Sequence, residues 1–271
     1  MNCGISSVGL ERYVDIVEVT GSNPVFHTIF TLMVLVIDIG NTFCKIAPMD
    51  SPHVSKVHSL PHDQLIQYTE KLLKENETDQ IAICSVHHSI DSFLEHFDKM
   101  TEITVIDQKL KLPFKNLYQS NTLGNDRIAL VAGAQKSVKK DQAALVIDAG
   151  TCVTYDFLDC NHDYHGGAIS PGLEMRFKAL HTFTSKLPLV QPTIKPSTTG
   201  TTTIKSIQSG VQNGLAMEID SMIDHYKIQE KDIKIFLTGG DSALLSKQLK
   251  NRFFADSYLA LIGIYNLYLT N

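Results

Sequence analysis

The chain lacks a run of apolar residues long enough to span a bilayer. Its most apolar stretch, residues 25–37, is interrupted by His27, Thr28 and Thr31 and stops at Asp38, short of the roughly 20 apolar residues a crossing helix needs. The flank ahead of it carries Glu11, Arg12, Asp15 and Glu18 rather than the basic segment of a secretory signal. No membrane partner and a cytoplasmic location are expected. Long clusters of basic residues are missing too: 24 Lys and Arg stand against 29 Asp and Glu, a net charge of −5, which gives no electrostatic reason to expect nucleic acid. The five cysteines are an odd number without a C-x-x-C pair, which argues against a disulfide framework or a zinc knuckle and for a reducing compartment. Neither G-x-x-x-x-G-K-S/T nor G-x-G-x-x-G occurs, so P-loop and Rossmann nucleotide sites are not indicated.

What is present is a repeat. VLVIDIGNT (residues 34–42) and ALVIDAGTCVT (residues 144–154) share L-V-I-D-x-G, with Asp38 and Asp148 separated by 110 positions. In each copy an apolar strand ends in Asp, turns at Gly, passes a Thr (Thr42 or Thr151) and enters a second β-rich run. After the first copy the pattern predicts strands over 43–47 and 53–58, a helix over 62–76, a strand over 81–86, a helix near 90–99 and a strand over 103–106. The second copy continues with a strand over 151–159, a short run near His165, helices and a strand over 233–237. With 271 residues, 43% of them hydrophobic, the chain can build two modest domains, and two copies of one α/β unit imply a cleft between them. We place an N-terminal unit at 33–120 and a C-terminal unit at 121–271. Residues 1–32 fit neither, and Met33 directly precedes the first motif, so they are expected to be an extension outside the fold.

Residues 186–203, with three prolines and many threonines, read as a surface loop. Beyond them Ile207, Val211, Leu215, Ile219 and Met222 or Ile223 recur at helical spacing, with Gly210 and Gly214 in the same helix. Each such glycine costs about 1 kcal/mol relative to Ala and suggests close approach by a backbone or ligand, or a tightly packed core helix.

A phosphate-binding turn needs backbone N–H groups and small residues between a strand and the next element. Asp38, Gly40, Asn41, Thr42 and Lys45 supply a carboxylate for hydrated Mg²⁺, a tight turn, short donors and a cation; an ordinary β-turn is the alternative, weakened by the echo at Asp148, Gly150 and Thr151. Strand 233–240 closes on Gly239 and Gly240, with Asp241 expected to open a helix through 249, a geometry suited to a nucleotide or to a plain capped turn. In TLGNDRIALVAGA (residues 122–134), Asn125 or Asp126 reads as a helix cap with Arg127 a surface charge. The alternative has Asp126 accept a hydroxyl proton and Arg127 bind an anionic group of a substrate.

D-I-G-N-T from Asp38, G-N-D-R from Gly124, D-A-G-T from Asp148, G-G-A-I-S-P-G from Gly166 and T-G-G from Thr238 follow one another in the order of type III pantothenate kinases, and from Met33 onward the chain resembles that family. The resemblance implies duplicated ribonuclease H-like domains of the actin-like ATPase and sugar kinase superfamily, with an interdomain cleft, a homodimer, and ATP-dependent phosphorylation of pantothenate, the first step of coenzyme A synthesis. Position by position it implies that Asp38, Ile39, Gly40, Asn41, Thr42, Phe43, Cys44 and Lys45 form the ATP phosphate loop, with Thr151 a further ATP contact. Asp148 resembles the ligand of a monovalent cation, K⁺ or NH₄⁺, and Asp126 the proton acceptor. Gly124, Asn125, Asp126, Arg127, Thr203 and Tyr118 resemble the pantothenate site, Tyr118 standing one residue nearer the G-x-D-R motif than is usual. A nucleotide-binding regulator or a phosphatase on the same fold are the competing readings.

Overall fold

In the computed structural model, residues 15–18, 25–28, 33–86, 90–97, 99 and 101–271 are described. The expectation for residues 1–32 falls largely outside them. Within it, β1 (Asp15–Glu18) and β2 (Val25–Thr28) pair antiparallel with each other and with neither larger sheet. The chain then runs β3 (Val34–Ile39), β4 (Cys44–Met49), β5 (His58–Leu60), α1 (Leu65–Glu75), β6 (Gln80–Ser85), α2 (Asp91–Phe97), β7 (Glu102–Val105) and β8 (Lys115–Asn116). It continues with α3 (Asn125–Ser137), β9 (Ala143–Ala149), β10 (Cys152–Leu158), β11 (Asp163–Pro171), α4 (Leu173–Thr182), α5 (Thr203–Gln208), α6 (Gly214–Gln229), β12 (Ile233–Thr238), α7 (Ser242–Leu245), β13 (Phe254–Ala255) and α8 (Leu259–Thr270).

The duplication read from the two L-V-I-D-x-G segments is a duplication of topology. The first sheet has the order β5-β4-β3-β6-β7 and the second β11-β10-β9-β12-β13, with β8 added beyond β11. In both, the first three strands form an antiparallel meander and the last two join in parallel. β3 and β9 occupy the same central place. Both faces of a central strand are covered, which is why each reads as a continuous apolar run rather than an alternation. Val34 and Val36 enter one core and Leu35, Ile37 and Ile39 another, as do Ala144 and Val146 against Leu145, Ile147 and Ala149.

The core shared by the two sheets is built around α3 and α8. Arg127 through Ala134 are buried without interruption, the pattern of a helix enclosed on all sides. α8 comes from the end of the chain yet packs on β3, β4 and β6 of the first sheet. Gly133 and Gly263 let the two helices touch backbone to backbone, since a Cβ on Gly263 would collide with the Ala129 carbonyl and one on Gly133 with that of Leu259. The outer face of the first sheet is covered by α1 and α2, that of the second by α4, α5 and α6.

Several local expectations are corrected. Residues 53–57 form no strand, and only His58–Leu60 pair with β4. The run near His165 is the nine-residue β11, whose register shift beside Phe157 and Leu158 admits it as a full partner of β10. The helix after Asp241 ends at Leu245 rather than 249. The helix through Ile207 and Ile223 is present but carries a π-turn over Ser209–Asn213. A Cβ at Gly210 or Gly214 would meet nothing within 4 Å, so neither glycine is there for close packing. The 186–203 loop is held to this helix: Gln212, fully buried, receives the Thr193 N–H at 2.9 Å and donates to the Thr193 carbonyl at 2.8 Å.

Candidate active site

The two Asp-Gly turns meet at one cleft of about 610 Å³, walled by Asp38, Gly40 to Phe43 and Lys45 from the first half and by Asp148, Gly150, Thr151 and residues 238–243 from the second. Asp126 and Leu130 of α3, Ser257 just before α8 and Ala260 in its first turn form its floor. Strand register explains the placement. Asp38 lies opposite Lys45 in the β3–β4 hairpin and Asp148 lies beside Thr238 in the β9–β12 pair. Each carboxylate therefore leaves the end of a central strand at the same level, where ligands of open α/β sheets gather.

The first turn is closed by the Gly40 N–H to the Phe43 carbonyl at 3.1 Å, and His62 Nε2 donates to the Gly40 carbonyl at 2.9 Å. Lys45 Nζ donates to the Ser257 carbonyl at 3.0 Å, tying this turn to the chain leading into α8. The second turn is closed by the Gly150 N–H to the Cys152 carbonyl at 3.0 Å. It is braced by glycines: Gly239 has φ +92 and its missing side chain is filled by Asp148 and Ala149, and that of Gly172 by the Gly150 and Thr151 carbonyls. The Gly-Gly pair of residues 239–240 thus brings backbone against the second Asp-Gly turn, in the cleft itself.

Electrostatically the cleft is an unbalanced acid. Burial pushes the Asp38 carboxyl up to about 6, against a lowering by Lys45 and with a further rise from Asp126. Burial, then the charges of Asp126 and Asp38, push Asp148 up to about 7. Among the described residues neither carboxylate accepts a hydrogen bond. Burial and the charge of Asp38 also raise the thiol of Cys84, which lies beside Asp38 in register. The Cys44 side chain turns to the opposite core and does not line the cleft. Among the described residues no three Asp, Glu, His or Cys side chains converge as a metal cage. An all-oxygen set of single carboxylates, short of hydrogen bonds, fits hard cations that take the rest of their shell from phosphate and water.

Asp126 is placed by its neighbours. Gly124 caps α3 and Asn125 is its first residue, so neither Asn125 nor Asp126 is the cap. Asp126 Oδ1 instead accepts the Arg127 N–H at 2.9 Å and folds back over Gly124, where any Cβ would strike it. Arg127 is not a surface charge: it is 5% exposed and paired with the fully buried Asp156 of β10. Tyr118 lies over the Arg127 guanidinium at 5.6 Å. Gly124 and Arg127 thus touch Asp126 directly and Tyr118 touches Arg127, but of this group only Asp126 lines the cleft. Thr203 lines a separate open hollow with Arg176, Phe183, Gly200 and Gly210, sharing no wall with the Asp126 cleft. Asp156 and Tyr164 belong to no motif and were not anticipated.

Comparison with known proteins agrees with this geometry. A family model described as type III pantothenate kinase matches residues 34–225. The type III pantothenate kinase of Christiangramia forsetii is 44% identical over 86% of this chain and 96% of its own, and that of Flavobacterium johnsoniae 40% over 87% and 97%. A crystal structure of a protein described as a Baf family transcriptional activator from Campylobacter jejuni superposes with TM-score 0.60 at 22% identity, over 87% of this chain and 97% of that one. A glucokinase from an Antarctic psychrotroph does so with TM-score 0.50 at 12%, over 88% and 99%. These two show the fold alone, a duplicated α/β architecture. With the matched family model and relatives covering nearly their whole length, the chain belongs to the type III pantothenate kinase family.

Proposed function

We infer that the chain transfers the γ-phosphoryl group of ATP to the primary hydroxyl of pantothenate, giving 4′-phosphopantothenate. The observation that carries this reading is Asp126, fixed by the Arg127 N–H on one oxygen, on the floor of a cleft whose two rims are the Asp38 and Asp148 turns. Phosphoryl transfer asks mostly for positioning and charge compensation. The backbone of residues 39–43, Lys45 and Thr151 would hold the phosphates. Mg²⁺ carried with ATP would share Asp38, and a monovalent cation, K⁺ or NH₄⁺, would share Asp148; bound there, they supply compensation for phosphate charge. Asp126 Oδ2 would orient the hydroxyl and take its proton as the oxygen attacks phosphorus. Arg127 and Tyr118 would bind the carboxylate end of pantothenate.

We further propose a homodimer. Thr203 matches the family's substrate contact yet lies apart from Asp126 within one chain, and its surroundings expose Phe183 (85%), Ile194 (72%) and Ile204 (52%), apolar area that a second copy would cover. No helix among the described residues is long and apolar enough to cross a membrane, and we place the enzyme in the cytoplasm, where ATP is supplied. ATP consumption with Mg²⁺ and K⁺, followed with and without pantothenate and with the product identified by mass, tests the reaction. Consumption that needs pantothenate and yields its phosphate ester supports the kinase; phosphate release without an acceptor would instead support a phosphatase.

A further inference from the structure

Resting on the kinase reading, we propose that Asp156 is a positioning residue that holds the Arg127 guanidinium in the orientation that reads the carboxylate of pantothenate. Asp156 is wholly buried, in the middle of β10. Its Oδ1 accepts a hydrogen bond from Arg127 Nε at 2.8 Å and a second from Tyr164 Oη at 2.6 Å. Arg127 Nη2 lies 2.8 Å from the same oxygen, as an ion-pair contact out of line for a hydrogen bond. Oδ2 makes no hydrogen bond of good geometry, although the Thr154 side chain nearby also favours the charged carboxylate.

That pattern is not the fork-on-fork pair by which an arginine and a carboxylate best satisfy each other, which uses both oxygens. Three groups crowd one oxygen, and the Arg127 contacts to Asp156 use Nε and Nη2 while leaving Nη1. The guanidinium lies over the Tyr118 ring, which in turn stacks on Tyr164 at 6.3 Å and 27°. Tyr118 can lie there because Gly166, at φ +88, has no side chain to meet its ring. Asp156 from one edge, with the Tyr118 ring beside the guanidinium and Tyr164 bracing both, fixes Arg127 while Nη1 makes no contact with Asp156.

Stability alone gives little reason for such an arrangement. Removing two charges from water is costly, and apolar side chains of similar size often serve a core as well. The cation is worth keeping where an anion must be bound, and Arg127 directly follows the residue read as the base. Its backbone N–H also holds Asp126 Oδ1, so a shift of the arginine would move both ends of the acceptor site.

The test compares two acceptors on the full chain: pantothenate and pantothenol, in which a hydroxymethyl group replaces the carboxylate. Wild type is expected to favour pantothenate in kcat/KM. Asp156→Asn should cut that preference at least tenfold, chiefly through the KM for pantothenate, with the KM for ATP changed less than twofold. If Asp156→Asn does not fold, Tyr164→Phe and the volume-matched pair Arg127→Met with Asp156→Leu are read the same way, with a partial loss of preference in the first and complete loss in the second. A preference left intact, or equal losses on both acceptors, overturns the proposal. A wild type that uses both acceptors equally overturns it too while leaving the kinase standing, whereas failure to phosphorylate either one counts against the kinase reading itself.

Discussion

The two Asp-Gly turns follow equivalent central strands, β3 and β9, face the same cleft and differ in what surrounds them. The first is a four-residue connection, from Ile39 to Cys44, with Lys45 opposite Asp38 and Phe43 exposed at its tip. The second is a three-residue connection, from Ala149 to Val153, with Thr154 opposite Asp148 and two glycines pressed against it. A repeated backbone has been given a cation and an open rim on one side and a close-packed wall on the other. Repetition therefore supplies a pair of turns facing one cleft, and divergence gives one of them a lysine and the other a glycine-packed wall.

Breaking the cation should have the largest effect. Lys45→Met removes the only side-chain cation lining the cleft among the described residues along with the tie to Ser257. A loss of about 10²–10³ in kcat/KM for ATP is expected, the size found when one preorganised donor to developing charge is deleted, read in steady-state assays. The packing contrast comes next: Gly239→Ala must fit a side chain at φ +92 against Asp148 and should destabilise by about 2–3 kcal/mol. Gly40→Ala meets only the Phe43 carbonyl, at 3.2 Å, and should cost under about 1 kcal/mol. Denaturant midpoints of the two variants measure the difference.

A smaller effect separates the carboxylates by pH. Asp148 titrates near 7 in the folded chain against about 3.9 when unfolded, so the folded state holds a proton that the unfolded state has released. Its contribution to stability is whole below about pH 4 and is lost as pH rises through 7. Asp148→Asn should therefore stabilise the ligand-free protein at pH 8, by about 1–2 kcal/mol, and leave it nearly unchanged at pH 4.5. Thermal midpoints across that range give the answer. The smallest effect is expected from starting the chain at Met33: kcat should stay within about twofold, since both turns lie downstream.

Sequence carried the duplication well, because continuous apolar strands and Gly turns are local signals. It carried the cleft too, since both motif copies place Asp at a strand end. It carried poorly whatever strand pairing alone decides. Asp156 sits mid-strand in TYDFL, and nothing in that run announces that β10 turns it toward α3. Arg127 looks like a surface charge until its partner is known. The length of β11 depends on a register shift, and the return of α8 onto the first sheet depends on Gly133 and Gly263 meeting across 130 residues. Thr203 resembles a substrate contact by position in the chain, but the fold sets it on another surface.

The central claim, that Asp126 takes the acceptor's proton in this cleft, is tested most directly by Asp126→Asn. Single-turnover transfer to pantothenate should fall by about 10²–10⁴ while the equilibrium affinity for ATP, measured by calorimetry on the same preparation, stays within about threefold, because both turns are intact. Transfer near the wild-type rate would contradict the assignment and move the chemistry away from the floor of the cleft.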